Sequence, residues 1–194
     1  MGRPREHDET TATALLDAAE RQVAESDADS LSLREVAREA GTTTRAVYSL
    51  FGSKEQLLGA LGARAFEILK EGLEELPVTD DPRLDVVEAS LVFRRFALGH
   101  PALFSIAFHR ADPTIVPGFL AASMDTLAVL LRRFEPLAAQ GLLGGRSVSE
   151  AAWQFHALCE GLAAMELRRV PVGVDPEKLW RDAIHALVTG FESA

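Results

Sequence analysis

The sequence predicts an all-α chain of about nine helices, on three observations. Apolar residues recur at three- and four-residue spacings along most of its length. No stretch shows the β-branched alternation of a strand bounded by turn residues. Capping residues and prolines stand where the periodic segments begin. With 194 residues, 47% of them hydrophobic, there is enough apolar surface for one large core or two small ones. Cys159 is the only cysteine, which excludes an internal disulfide and a cysteine-built zinc site and suits the cytoplasm. The first residues, Met1 to Glu9, hold no apolar signal core. No later run nears the roughly 18 apolar residues of a membrane span, so neither export nor a membrane is expected.

The first helix is expected from about Thr11 to Ser26, where Leu15, Leu16, Ala19 and Val23 form one stripe, and Asp27-Ala28-Asp29 breaks it. Ser32-Leu33-Arg34-Glu35 has the form of a capping box, in which serine and glutamate satisfy each other's free backbone amides. The short helix it opens turns Leu33, Val36, Ala37 and Ala40 inward and must stop at Gly41, the residue best able to turn left-handed past a helix end. Thr42, Thr43 and Thr44 follow, poor in a helix interior and good as caps, so a second short helix starts there and runs to Phe51. Two short helices around a glycine turn, apolar on their facing sides, make a helix-turn-helix whose second helix can lie in a DNA major groove.

Ser53-Lys54-Glu55-Gln56 repeats the box and opens a longer helix through Leu57, Leu58, Leu61, Phe66 and Leu69 to about Leu76, where Pro77 closes it. Asp81-Pro82 starts the next, which runs to Gly99. Pro101 begins a shorter one. A helix from Pro117 or Gly118 to Ala138 precedes the glycine-rich loop Gly141 to Gly145. Ser147-Val148-Ser149-Glu150 opens a long helix to about Val170, and Asp175-Pro176 starts the last, ending near Phe191. The expected division is a helix-turn-helix domain over residues 1–52 and a second helical domain over 53–194, with helix 53–76 linking the two.

A net charge of −9 argues at face value against a nucleic-acid partner. Within a Debye length of about 8 Å, however, the charge of the presented face outweighs the total. Arg3 and Arg5 lie at the start, and Arg34, Arg38, Arg45 and Lys54 punctuate the segment 34–54. Only Glu35, Glu39 and Glu55 oppose them there, while Asp27, Asp29, Asp80, Asp81 and Asp85 fall outside it.

Leu33-Arg34-Glu35-Val36-Ala37-Arg38-Glu39-Ala40-Gly41 followed by Thr43, then Val47-Tyr48, Phe51, and Ser53-Lys54-Glu55 with Leu57-Leu58, resembles the DNA-binding signature of the TetR family of transcriptional regulators. The resemblance runs from about Leu15 to Leu61 without a gap. It implies a repressor that binds a palindromic operator in double-stranded DNA as a homodimer and answers to a small-molecule effector. Thr43 would cap the recognition helix and can also face a phosphate. Thr44 and Arg45 fall on its first turn, where side chains reach base edges and arginine bonds bidentately to guanine. The other reading of Arg45 is a solvated surface arginine. Tyr48 offers its phenol to a phosphate while its ring packs on the motif's apolar core. Lys54 adds a charge to a helix N-terminus that already attracts phosphate, or serves solubility alone. Arg34 is a weaker phosphate candidate. Leu50 departs from the family pattern, which often carries a polar or aromatic residue there. Gly2-Arg3-Pro4-Arg5 resembles an extended minor-groove arm, with a disordered tail as the equal alternative.

In the family the last two long helices pair with their copies across a two-fold axis. Ala151, Phe155, Leu158, Leu162 and Met165 mark one apolar face here, and Leu179, Ile184, Leu187, Val188 and Phe191 the other; core packing within one chain explains them equally. Recognition helices on a palindrome must lie about one DNA turn, roughly 34 Å, apart, which requires a dimer. Eight of the ten phenylalanines, Phe66, Phe93, Phe96, Phe104, Phe108, Phe119, Phe134 and Phe155, lie where the family encloses its effector. They suit an apolar or aromatic small molecule, although rings of this kind more often fill a core. His156 and Glu160, one turn apart with Cys159 between them, are expected to add polar lining. With His100 and His109 they could also hold a metal or act as acid and base. No HxxEH-like spacing or activated nucleophile accompanies them, so no enzyme activity, metal or cofactor is expected. The stretch from Cys159 to Leu167 resembles a carboxy-terminal subfamily signature of tryptophan followed by His-Gly, with Glu160 in the histidine's place and Trp153 displaced. The competing reading is a helical binding or catalytic module whose amino-terminal motif is only structural.

Overall fold

The structure, a computed structural model, describes residues 3–109, 116–170 and 173–192, with side chains from Asp8 onward apart from Pro117. Among the described residues there are nine α-helices and no strand: α1 (Arg3–Glu25), α2 (Leu33–Glu39), α3 (Thr44–Phe51), α4 (Lys54–Glu74), α5 (Pro82–Gly99), α6 (Pro101–His109), α7 (Pro117–Ala139), α8 (Val148–Leu167) and α9 (Pro176–Phe191). The all-α expectation holds, helix by helix. Two boundaries differ. α1 begins at Arg3 and not near Thr11, with Pro4 in the first turn, where a missing N–H removes no helical bond. The stretch read as an extended arm is therefore helical in its backbone from Arg3; the side chains of Arg3 and Arg5 lie outside the described residues. α8 stops at Leu167, short of Val170, because Arg169 turns left-handed at φ 56°.

Local chemistry accounts for the ends. Gly41, at φ 66°, donates its N–H to the Arg38 carbonyl while Thr42 donates to Ala37, so two otherwise orphaned carbonyls of α2 are satisfied. Ser147 and Glu150 form a complete capping box at the start of α8. The box expected at Ser32 is half made: Ser32 Oγ accepts from Glu35 N–H at 3.4 Å, but the Ser32 N–H donates to Gln22 Oε1 of α1, and Glu35 turns to Arg38. A longer-range acceptor has displaced the local one.

The chain divides into two compact units, residues 1–66 with 100–123 and residues 67–99 with 124–194, drawn differently from the division expected at residue 52. In the first, α1 packs on α2, α3 and α6, and Leu15, Leu31, Val36, Val47, Leu57, Leu61 and Phe104 are buried. In the second, α5 packs on α9 and α8 around Phe93, Phe134, Phe155, Trp180 and Ile184. There the buried Arg133 of α7 donates to the carbonyls of Leu73, Leu76 and Pro77, at 2.5, 2.6 and 2.9 Å, and so closes the C-terminal end of α4. Arg94 of α5 binds Glu166 of α8 through two nitrogens, and Glu166 also accepts Trp180 Nε1–H from α9 at 2.9 Å. α4 itself carries Gly59, Gly62 and Gly72 in its interior, each costing about 1 kcal/mol relative to alanine in helix propensity.

Candidate nucleic-acid interface

The setting of α3 follows from one residue. Val47 is buried against the core of the first unit, and on a helix of 3.6 residues per turn this turns Arg45, Tyr48 and Ser49 outward together. Thr43 Oγ1 accepts from Ala46 N–H at 3.2 Å, so it is the cap that starts the helix. Thr44 is half-buried. Tyr48 is 54% exposed, which corrects the expectation that its ring packs on the apolar core: Val47, 1% exposed, fills that place. Ser49, one turn beyond Arg45, went unremarked in the sequence although its spacing alone puts it on the same face.

Ion pairing explains how an acidic chain presents this face. Arg38 Nε donates to Glu35 at 2.7 Å and Arg21 of α1 pairs with Glu39; each carboxylate raises its partner guanidinium's pKa. Both acids of α2 are thus matched. Arg34 and Arg45 are exposed and enter no ion pair among the described residues, so they are the positive charge left over. Lys54 Nζ donates to the Asp29 carbonyl at 2.5 Å and ties the start of α4 to the α1–α2 turn. Its role is structural at least in part, and two of its three donors stay available to an anion.

The phenylalanines fall into a group in each unit. In the first, Phe66 meets Phe108 and Phe119 edge-on at 5.4 and 5.2 Å, Phe104 meets Phe108 at 5.4 Å, and His109 stands edge-on to Phe104. His100 Nδ1 lies 3.2 Å from Glu20 of α1. In the second, Phe93 touches Phe96, His156 and Trp180, and Phe155 packs on Phe134. His156 Nε2 is 3.5 Å from Glu160. Burial holds the imidazole's pKa below its ordinary value, with Glu160 opposing, and burial pushes the Cys159 thiol well up, leaving it an inert small hydrophobe. No cluster of three or more metal-ligating side chains occurs among the described residues.

On α8 and α9 the marked faces point largely inward, with Met165, 36% exposed, the exception. Ala151, Phe155, Leu162, Ile184, Val188 and Phe191 are buried within the chain, so core packing accounts for them. The outward face of α8 is different: Trp153, 53% exposed, then Ala157, Gly161 and Met165 at successive turns. On α9, Ala186, Thr189 and Gly190 face outward.

A short capped helix holding arginine, tyrosine and serine outward, braced by the helix before it across a glycine turn, defines a helix-turn-helix DNA-binding protein. Comparison with known proteins then gives the family. The model for bacterial regulatory proteins of the tetR family matches residues 15–61, and that for the tetracyclin repressor-like C-terminal domain matches residues 86–187. The chain belongs to the TetR family. Among curated proteins it is similar to the HTH-type transcriptional regulator Rv1816 of Mycobacterium tuberculosis, 28% identical over 135 residues, a match that spans 68% of this chain and 56% of that protein. Among solved structures it is similar to a protein of unknown function from Rhodococcus sp. RHA1, with TM-score 0.80, 24% identity, and coverage of 94% of this chain and 95% of that one. It also resembles the TetR family transcriptional regulator PfmR of Thermus thermophilus, with TM-score 0.69, 18% identity, and coverage of 90% and 96%.

Proposed function

We propose that this protein is a repressor that binds a palindromic operator as a homodimer and is controlled by a small apolar or aromatic effector. The observation that carries the reading is the outward face of α3, where Arg45 is left over while Glu35 and Glu39 of the preceding helix are matched. Arg45, with Thr44 and Ser49, reads base edges; Arg34, Thr43, Tyr48 and Lys54 bind phosphates, and Arg3 and Arg5 add contacts from the amino terminus. The homodimer uses the outward stripe Trp153, Ala157, Gly161 and Met165 of α8 with Ala186 and Gly190 of α9. Small residues there let two helices approach closely, and the exposed tryptophan supplies an apolar anchor. The effector engages rings of the middle helices, the candidates being Phe66, Phe104, Phe108 and Phe119 in the first unit, and Phe93, Phe96 and Phe155 in the second with His156 and Glu160 as polar positions and Cys159 as apolar lining.

The test is binding of the purified protein to the DNA upstream of its own coding sequence, against random DNA of equal length, at physiological salt. A regulator favours the upstream site by about 1,000-fold or more. Equal affinity for both sinks the operator reading and leaves the helical binding or catalytic module in its place. A monomer by sedimentation would remove the dimer.

A further inference from the structure

Within the first unit, α4 has two working faces. One holds the helix-turn-helix: Leu57, Leu58 and Leu61 are buried, Lys54 bonds the Asp29 carbonyl, and Arg64 Nη1 binds Asp17 of α1 at 2.5 Å. The other carries Gly59 and Gly62, three residues apart and therefore on one side of the helix.

Both glycines are occupied from outside. A Cβ on Gly59 would stand 2.5 to 2.7 Å from Val116, and one on Gly62 would collide with the ring of Phe119. Val116 and Phe119 are also three residues apart, at the start of α7, with Phe119 N–H bonded to the Val116 carbonyl at 3.0 Å. Two prongs thus meet two notches in the same order and spacing. The Phe119 ring continues edge-on into Phe66, and Phe66 into Phe108. Packed helices shift between discrete arrangements and do not deform continuously, so the seating of these prongs sets where α4 lies.

We infer that Val116 and Phe119, keyed into Gly59 and Gly62, form the joint through which the aromatic cluster positions α4 and with it the recognition helix. This rests on the proposed reading of an effector-controlled DNA-binding protein. It adds that the effector acts by unseating Phe119 from Gly62, because Phe119 touches both the glycine notch and the ring cluster at Phe66. An apolar or aromatic molecule against Phe66 and Phe108 competes for the edge that Phe119 presents, and the lever it moves is latched to the helix-turn-helix at Lys54 and Arg64.

The test uses the full chain in three variants, Gly62→Ala, Phe119→Ala and the pair together. It reads hydrogen exchange along the helices and affinity for the upstream DNA against random DNA. A methyl at Gly62 unseats the ring, so Gly62→Ala is expected to speed exchange across α3 and the first turn of α4 and to weaken upstream binding about tenfold, with random binding unchanged. In the double variant the methyl meets no ring, so both readouts match those of Phe119→Ala alone to within about twofold. Natural-like exchange and affinity in Gly62→Ala, or a double variant whose losses are the sum of the two singles, would overturn the joint. If Gly62→Ala fails to fold, Phe119→Ala decides: faster exchange in α3 with α8 and α9 unchanged supports the joint, and a uniform rise along the chain refutes it. Should the natural protein itself show no preference for the upstream DNA, the operator reading falls, while the exchange measurements still decide the joint.

Discussion

The outward face of α2 and α3 and the helix contacts of the second unit use arginine for opposite ends. In the second unit Arg83 ends on Glu192, Arg94 on Glu166, Arg181 on Glu88, Arg146 on the Phe191 carbonyl, and Arg133 on the last carbonyls of α4. On α2 and α3 the internal pairs remove the acids, Glu35 and Glu39, and leave Arg34 and Arg45 over. The net charge of −9 is therefore a poor guide to the partner. On the proposed reading, phosphate is recruited by the cations that survive internal pairing, within a Debye length of about 8 Å.

The sharpest way to break this comparison is to exchange the two kinds of arginine. Arg133→Ala leaves three carbonyls at a buried helix end without their donor and opens a cavity, so it should lower the free energy of unfolding by about 3 kcal/mol. Urea denaturation measures it; a loss below about 1 kcal/mol would mean that water replaces the guanidinium freely. Arg45→Ala should do the reverse, changing stability by less than about 0.5 kcal/mol while costing about 2 kcal/mol of upstream-DNA binding and relaxing base preference at one position. Competition binding with single-base variants reads this out. Lys54→Met lies between: it loses about 1 kcal/mol of stability with the Asp29 bond and weakens all DNA sequences alike. Unaltered DNA binding there would leave Lys54 a purely structural residue.

The helix-turn-helix could be read from sequence because its determinants are local. The Thr43 cap, the Gly41 turn and the setting of α3 about Val47 all lie within one short stretch, and each has its expected geometry. Long-range features were hidden. Nothing near Lys54 reveals its bond to Asp29, nothing near Gly62 names Phe119, and Ser32 gave up its local partner to Gln22 of another helix. On α8 and α9, apolar spacing marked a largely buried face, Met165 apart. A face built of tryptophan, alanine, glycine and methionine carries little periodic signal, so the outward stripe emerged only once the burial of each side was known.

A smaller effect separates the two units by pH. Burial holds His156 below its ordinary 6.5, so the unfolded chain takes up a proton that the folded one refuses. The stability this group contributes is complete above about pH 6.5 and is lost as the pH falls through the folded value. His156→Gln should flatten the decline of the urea midpoint between about pH 7 and 5. An equal decline in the variant would assign the acid sensitivity to other groups.

The smallest expected effect concerns a cation that belongs to neither class. Arg169 sits past the end of α8 at φ 56°, donating its N–H to the Glu166 carbonyl while Val170 donates to Met165. α2 and α7 end in the same hydrogen-bond pattern, but with glycine, at Gly41 and Gly141, where the left-handed turn costs no Cβ clash. Arg169→Gly relieves that clash and adds freedom to the unfolded chain, and the balance should stabilise the protein by about 0.5 kcal/mol. The thermal midpoint measures it. The same variant tests the opening contrast from the other side, because it removes an exposed positive charge in the second unit. Upstream-DNA affinity should stay within about twofold of the natural protein. A larger loss would mean that surplus charge beyond α2 and α3 also recruits DNA, and that the internally paired arginines of the second unit do not divide cleanly from the ones that bind it.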